Sequence, residues 1–351
     1  MNLSHRPKSR AATFSFGLLL AIHALFFISF LLTAGLTTAR AEGAVCTGKD
    51  LLAALEVENP AKLEAIRAEA AQTPNGRGLL WRVEKPGVEP SYLFGTMHMT
   101  DPRVTALAPQ AQQAFDAAER LVIETTDVLD EKRMLAALAA NPELTMFTDG
   151  TTLSSLLSPE DAQVLAEGLQ ARGIPPLSVA KMKPWILASL VSMPACELNR
   201  KASGLPMLDV KLAQDAQAAG KPVQGLETAA DQLGAMASLP IDFHMNGLVD
   251  TLKLGGRIED VIETMIVLYE EGETSLFWPL FRAEFPQSDD GGYAAFEETM
   301  ITRRNHTMAE RALPILEGGD AFVAVGALHL PGEDGLVTLL REHGFTVTLA
   351  E

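Results

Sequence analysis

Apolar residues recur along this chain in two rhythms. Leu52, Leu55, Val57, Leu63 and Ile66 stand at helical spacing among charges, which predicts an amphipathic helix over 51–71. Beyond it the rhythm shortens to two. Trp81-Arg82-Val83 and the run from Ser91 to Met97 alternate on either side of Pro86-Gly87, the pattern of a β-hairpin. A helix is predicted over 106–119, followed by the short apolar strand Arg120-Leu121-Val122-Ile123, which ends in the acid Glu124. Helical spacing returns over 131–140, 158–172, 184–198 and 207–219. The stretch Gly220 to Glu227 reads as turn, strand and again an acid just past the strand end. Helices fill 228–317, and the chain closes with a strand over 321–325, a helix over 335–343 and a strand over 345–349. Strands are few, short and mostly separated by helices, so the reading is α/β, a small central sheet with many surrounding helices.

The first forty residues follow neither rhythm. Arg6, Lys8 and Arg10 precede an apolar run from Phe14 to Leu36, and Ala39-Arg40-Ala41 follows as a small-residue cleavage signal. This is the layout of a secretory signal peptide over 1–41, leaving 42–351 as a single domain exported to the periplasm. An uncleaved leader is the competing reading and would anchor the chain to a membrane. Val45 before Cys46 does not fit a lipoprotein signal. In an exported chain the two cysteines, Cys46 and Cys196, are expected to form a disulfide.

Charge narrows the partners. The chain has 28 basic and 45 acidic residues, a net charge of −17. The leader holds four of the bases and no acid, so the remainder carries 24 minus 45, or −21. Such a surface argues against nucleic acid and anionic membrane surfaces as partners.

Two segments share a tetrad. Tyr92-Leu93-Phe94-Gly95-Thr96-Met97-His98 and Phe322-Val323-Ala324-Val325-Gly326-Ala327-Leu328-His329 are strand-like runs that break at a glycine and deliver a histidine three residues later. If the two strands are neighbours, His98 and His329 converge at the edge of a sheet, where ligand sites in α/β folds lie. Two imidazoles with a carboxylate make an incipient site for a divalent ion. Glu124 is the candidate carboxylate, as ligand or general base. Glu227 reads first as an acid favoured at a helix start. In Arg303-Arg304-Asn305 a guanidinium is placed to orient substrate or stabilise an oxyanion, against the reading of a solvated helix start. His244, His306 and His343 lack matched partners and read as surface or capping groups. No G-x-S-x-G, Walker A, G-x-G-x-x-G or H-E-x-x-H pattern occurs, so serine hydrolase, nucleotide-binding and zincin readings lose support.

The strand ending in His98, the strand ending in Glu124, the stretch Gly220-Lys221-Pro222-Val223-Gln224-Gly225-Leu226-Glu227-Thr228, the pair Arg304-Asn305, and Val325 to Gly332 together resemble the TraB/GumN family, in order from about residue 75 to the C-terminus. That family includes the Tiki proteins, membrane-tethered proteases dependent on manganese or cobalt, and is similar in fold to the erythromycin esterase and ChaN haem-binding group. The resemblance implies that His98 and His329 are the motif histidines, that Glu124 holds the acidic position, and that Arg304 and Asn305 are the polar pair. Leu205-Pro206-Met207-Leu208-Asp209 departs from the family's glycine-aspartate, so no role is carried to Asp209. The expectation is an exported, peptidase-like hydrolase of the bacterial GumN-like branch, with a peptide or other small substrate and a divalent ion such as manganese, cobalt or zinc. The alternative is a periplasmic binding protein for haem, metal or peptide without turnover. A family member whose sheet edge holds only structural hydrogen bonds is the plainest reading.

Overall fold

A computed structural model of the protein describes residues 46–284 and 292–350. The leader over 1–41 and its cleavage signal lie outside the described residues. Six strands form one sheet in the order β4-β3-β5-β2-β1-β6. They are β1 (Leu80–Glu84), β2 (Ser91–Thr96), β3 (Arg120–Ile123), β4 (Val223–Gly225), β5 (Ala321–Gly326) and β6 (Thr346–Leu349). The run β4-β3-β5-β2 is parallel, and β1 pairs antiparallel with both β2 and β6. The expected α/β class and small sheet are therefore what the chain forms.

The central strands are apolar on both faces because helices cover both. Alternate residues of β5 divide between them. Phe322 and Ala324 pack with Phe94, Leu121, Ile123 and the helix Leu208–Ala218 on one side. Val323 and Val325 pack with Leu93, Val122 and the helices Arg303–Leu316 and Leu336–Glu342 on the other. β6, at the edge, buries only Val347. A separate apolar cluster, including Leu153, Leu165, Leu169, Leu187 and Leu248, joins the helices Pro159–Ala171, Pro184–Val191 and Ile241–Leu254.

Prolines explain where expected helices divide. The helix foreseen over 51–71 is two, Leu51–Glu58 and Pro60–Ala70, because Pro60 cannot donate within a helix and Asn59 caps the new start by accepting from Lys62 N. Val57 is consequently 84% exposed instead of joining an apolar face. The helix over 184–198 likewise stops at Val191 and restarts as Ala195–Ala202 after Pro194. At 106–119 the helix begins only at Pro109, with the short helix Pro102–Thr105 ahead of it.

Cys46 and Cys196 form the expected disulfide, which ties the first described residue to the helix Ala195–Ala202. Such a bond fits a secreted chain. Among the described residues no helix is long and apolar enough to cross a membrane.

Candidate active site

Four parallel strands end at one edge of the sheet, and within three residues of each end stands a titratable side chain. In spatial order from β4 to β2 these are Glu227, Glu124, His329 and His98. The two G-x-x-H segments are neighbours, with β2 paired to β5 one residue out of step: Gly95 faces Val325 and Thr96 faces Gly326.

One of the two glycines breaks its strand as expected. Gly95 lies within β2 and Gly326 ends β5, and neither has positive φ. What each supplies is room. A Cβ on Gly95 would stand 2.8 Å from Leu330 Cδ1, and one on Gly326 would stand 3.1 Å from Glu124 Oε1. The matched motifs then diverge. His98 leaves the sheet on a loop with its side chain 57% exposed. His329 ends the 3-10 turn Ala327–His329 and is buried.

Each imidazole is oriented through Nδ1. His98 Nδ1 lies 2.7 Å from Asp209 Oδ2, and Asp209 Oδ1 accepts from Thr96 Oγ1 at 2.6 Å. His329 Nδ1 lies 2.6 Å from Asn305 Oδ1. The Asn305 amide donates from Nδ2 to Asp334 O at 2.8 Å, which fixes its oxygen toward His329 and makes Nδ1 the protonated nitrogen of that ring. The segment after His98 is gripped from below. Glu197, fully buried, accepts from Thr100 N and Oγ1 at 2.8 and 2.7 Å, and Arg200 donates to Asp101 at 2.9 Å.

Glu124 sits at the centre of the edge. Its Oε1 accepts from Gly326 N at 2.7 Å and stands 3.7 Å from His329 Nε2. Its Oε2 accepts from Arg304 Nη2 at 2.7 Å and from Gln232 Nε2 at 2.9 Å. Arg304 is held in turn by Glu227, whose two oxygens accept from its Nε at 3.2 and 3.0 Å and from its Nη2 at 2.7 Å, while Nη1 donates to Met300 O. All three guanidinium nitrogens are thus engaged by the protein.

Charge follows this wiring. The Asp209 carboxylate beside His98 raises that imidazole from 6.5 to about 9. Burial pushes His329 down from 6.5 to about 4, so it is neutral at pH 7. Burial alone would raise Glu124, but the charges of His98 and Arg304 and the Gly326 N–H hold it down at about 2, joined in acid by His329 once that ring is protonated. His98, Glu124, Arg304 and His329 share a cleft of about 200 Å³, whose other wall is apolar.

Among the described residues no three His, Cys, Asp or Glu side chains form a ready-made cage for an ion. The two histidines nevertheless have the chemistry of ligands. Metal-bound histidines bind an acceptor through one ring nitrogen and the ion through the other, and both rings here have Nδ1 committed and Nε2 left over.

The sequence profile of the TraB/PrgY/gumN family matches residues 79–349, a span that includes every residue of this edge. The chain belongs to the TraB/PrgY/gumN family. Its relatives include the Metalloprotease TIKI homolog of Nematostella vectensis, 24% identical over 78% of this chain and 67% of that protein. Metalloprotease TIKI1 of Danio rerio is 23% identical over 82% of this chain and 66% of its own length. The uncharacterized protein YbaP of Shigella flexneri is 27% identical over 73% of this chain and 89% of its own. The family member described here therefore spans about two thirds of the TIKI proteins and most of YbaP. No solved structure matches the chain, so the likeness to erythromycin esterase and ChaN stays an expectation.

Three members of this family site escaped the sequence. Asp209, passed over for its departure from the family pattern, holds His98. Gln232 binds Glu124, and Glu227, read as a helix-start acid, clamps Arg304; Thr228 is the residue that caps that helix. Asn305 is placed with the site but is fully buried, and it reaches the cleft only through His329.

Proposed function

We propose that this family member is an exported, periplasmic, metal-dependent hydrolase that acts on peptide bonds. The observation that carries the reading is the pair of imidazoles, each pinned through Nδ1, that border one cleft with the ionised Glu124. The names of the TIKI relatives support the same chemistry.

His98 and His329 would hold the ion through Nε2, with Glu124 beside them. A divalent ion bound there polarises a carbonyl and lowers the pKa of water. Glu124 is ionised at neutral pH and would accept a proton from an attacking water. Arg304 and Glu227 lock the Glu124 carboxylate, Asp209 and Asn305 orient the two rings, and the apolar wall limits water around the reacting bond. Arg304 and Asn305 are therefore positioning residues, and Glu124 is the catalytic group. The cleft volume favours one side chain over haem, since pockets for drug-sized ligands run to roughly 300–1,000 Å³.

The test is metal binding and peptide cleavage in parallel. Calorimetric titration with manganese, cobalt and zinc should give one strong site in the wild type, and His98→Ala/His329→Ala should abolish both ion uptake and cleavage. A double variant that binds and cleaves as before would sink the site. Ion uptake without cleavage of any peptide, unaffected by Glu124→Gln, would move the conclusion to capture without turnover.

A further inference from the structure

Limiting water is the one part the apolar side of the cleft has in the chemistry above, yet five apolar residues line it. Met97 leads into His98, Leu328 precedes His329, Met265 comes from the helix Arg257–Glu270, Phe277 from the helix Phe277–Glu284, and Ile301 from the turn before Arg304. They come from five separate elements, and all border the same space as His98, Glu124 and His329.

We propose that this wall is a subsite for one large uncharged side chain next to the bond that is cut, so that the substrates are peptides with leucine, methionine or phenylalanine at that position. The proposal rests on the hydrolase reading for the bond and on the wall itself for the side chain. Size supports it. A cavity of roughly 150 Å³ lined by aliphatic and aromatic groups takes benzene, and this cleft measures about 200 Å³.

Charge supports it as well. The ionic groups on the polar side are paired with one another, Arg304 with Glu124 and Glu227 and His98 with Asp209. A substrate aspartate or lysine entering the cleft would lose its water and find its counter-charges already engaged. Burial of a leucine- or phenylalanine-sized group favours binding by roughly 10- to 150-fold over a side chain left in water. Methionine is unbranched and adaptable, so Met97 and Met265 let the wall accept several apolar shapes. The expected specificity is therefore sharp between apolar and charged side chains and blunt among apolar ones.

The test is a set of peptides identical except at one position, carrying Leu, Met, Phe, Asp or Lys there. Binding to the Glu124→Gln protein is measured by calorimetry, and cleavage by the wild type with manganese or cobalt. The expected result is at least tenfold tighter binding and a correspondingly higher kcat/KM for the apolar three. Met265→Lys should remove that preference and move it toward Asp, with a far-UV spectrum matching the wild type. If that variant does not fold, Met97→Ala should weaken Leu and Phe binding several-fold. Cleavage indifferent to the side chain overturns the subsite and leaves the hydrolase reading standing. Apolar preference in binding with no cleavage overturns the hydrolase reading and keeps the subsite. Neither binding nor cleavage overturns both.

Discussion

Replacing Glu124 by glutamine keeps shape and removes charge, and the cost can be worked from its surroundings. The carboxyl is held at about 2 instead of its ordinary 4.5. At about 1.4 kcal/mol for each tenfold, that difference is worth at most about 3 kcal/mol of folding free energy, and less at neutral pH, where His329 carries no charge to support it. The sign follows from the direction of the shift. The folded form binds the proton more weakly than the unfolded chain, so the contribution is complete above the unfolded value and is lost as pH falls through the folded one. Glutamine also brings a donor where only acceptors serve. Its NH2 must face either the Gly326 N–H or the donors of Arg304 and Gln232. Urea unfolding of the metal-free protein, followed by far-UV circular dichroism, should show Glu124→Gln less stable by about 1–3 kcal/mol at pH 7, with the gap narrowing as pH falls toward 2. Equal midpoints at pH 7, or a gap that does not narrow with acid, would refute the wiring of Glu124 described above.

Three further outcomes are expected. Asp209→Asn should bring the His98 titration, read by NMR on the metal-free protein, from about 9 back toward 6.5, and should weaken ion binding by roughly 10- to 100-fold; a His98 that still titrates near 9 would show that Asp209 does not set its charge. Gly326→Ala should destabilise by about 1–3 kcal/mol, because its Cβ meets Glu124 Oε1 at 3.1 Å. Gly150→Ala, with nothing within 4 Å of its Cβ, is the control and should melt close to the wild type. Reducing the Cys46–Cys196 bond, which spans 150 residues, should cost about 3–5 kcal/mol in a denaturant titration with and without dithiothreitol.

What the sequence revealed was local. The hairpin, the acid after β3 and the paired G-x-x-H could be read because period and punctuation are written within a few residues. The side chains that orient these groups could not. Asp209 lies in the first turn of its helix, where an acid already has an ordinary explanation, and its contact with His98 lies 111 residues away. Glu227 and Gln232 meet Glu124 and Arg304 only through the pairing of β3 with β4. His244, expected at the surface or as a cap, does both less and more: it is buried, and its Nε2 reaches Met236 O in the last turn of the helix Ala229–Ala237. The breaks at Pro60 and Pro194 were legible in principle, since a proline removes a helical donor wherever it falls.

The position of β5 between β3 and β2 also fixes when the site can exist. Ala321 N donates to Ser91 Oγ across 230 residues, so the two central strands are synthesised far apart in time. Until β5 enters, the hairpin that carries His98 and the β3–β4 pair that carries Glu124 are unconnected halves with no shared edge. Contacts of such long range form slowly, since the intervening loop must be closed before they are rewarded. The cleft therefore cannot form before β5 has entered the sheet, and an ion that binds there also registers that β3, β5 and β2 are joined.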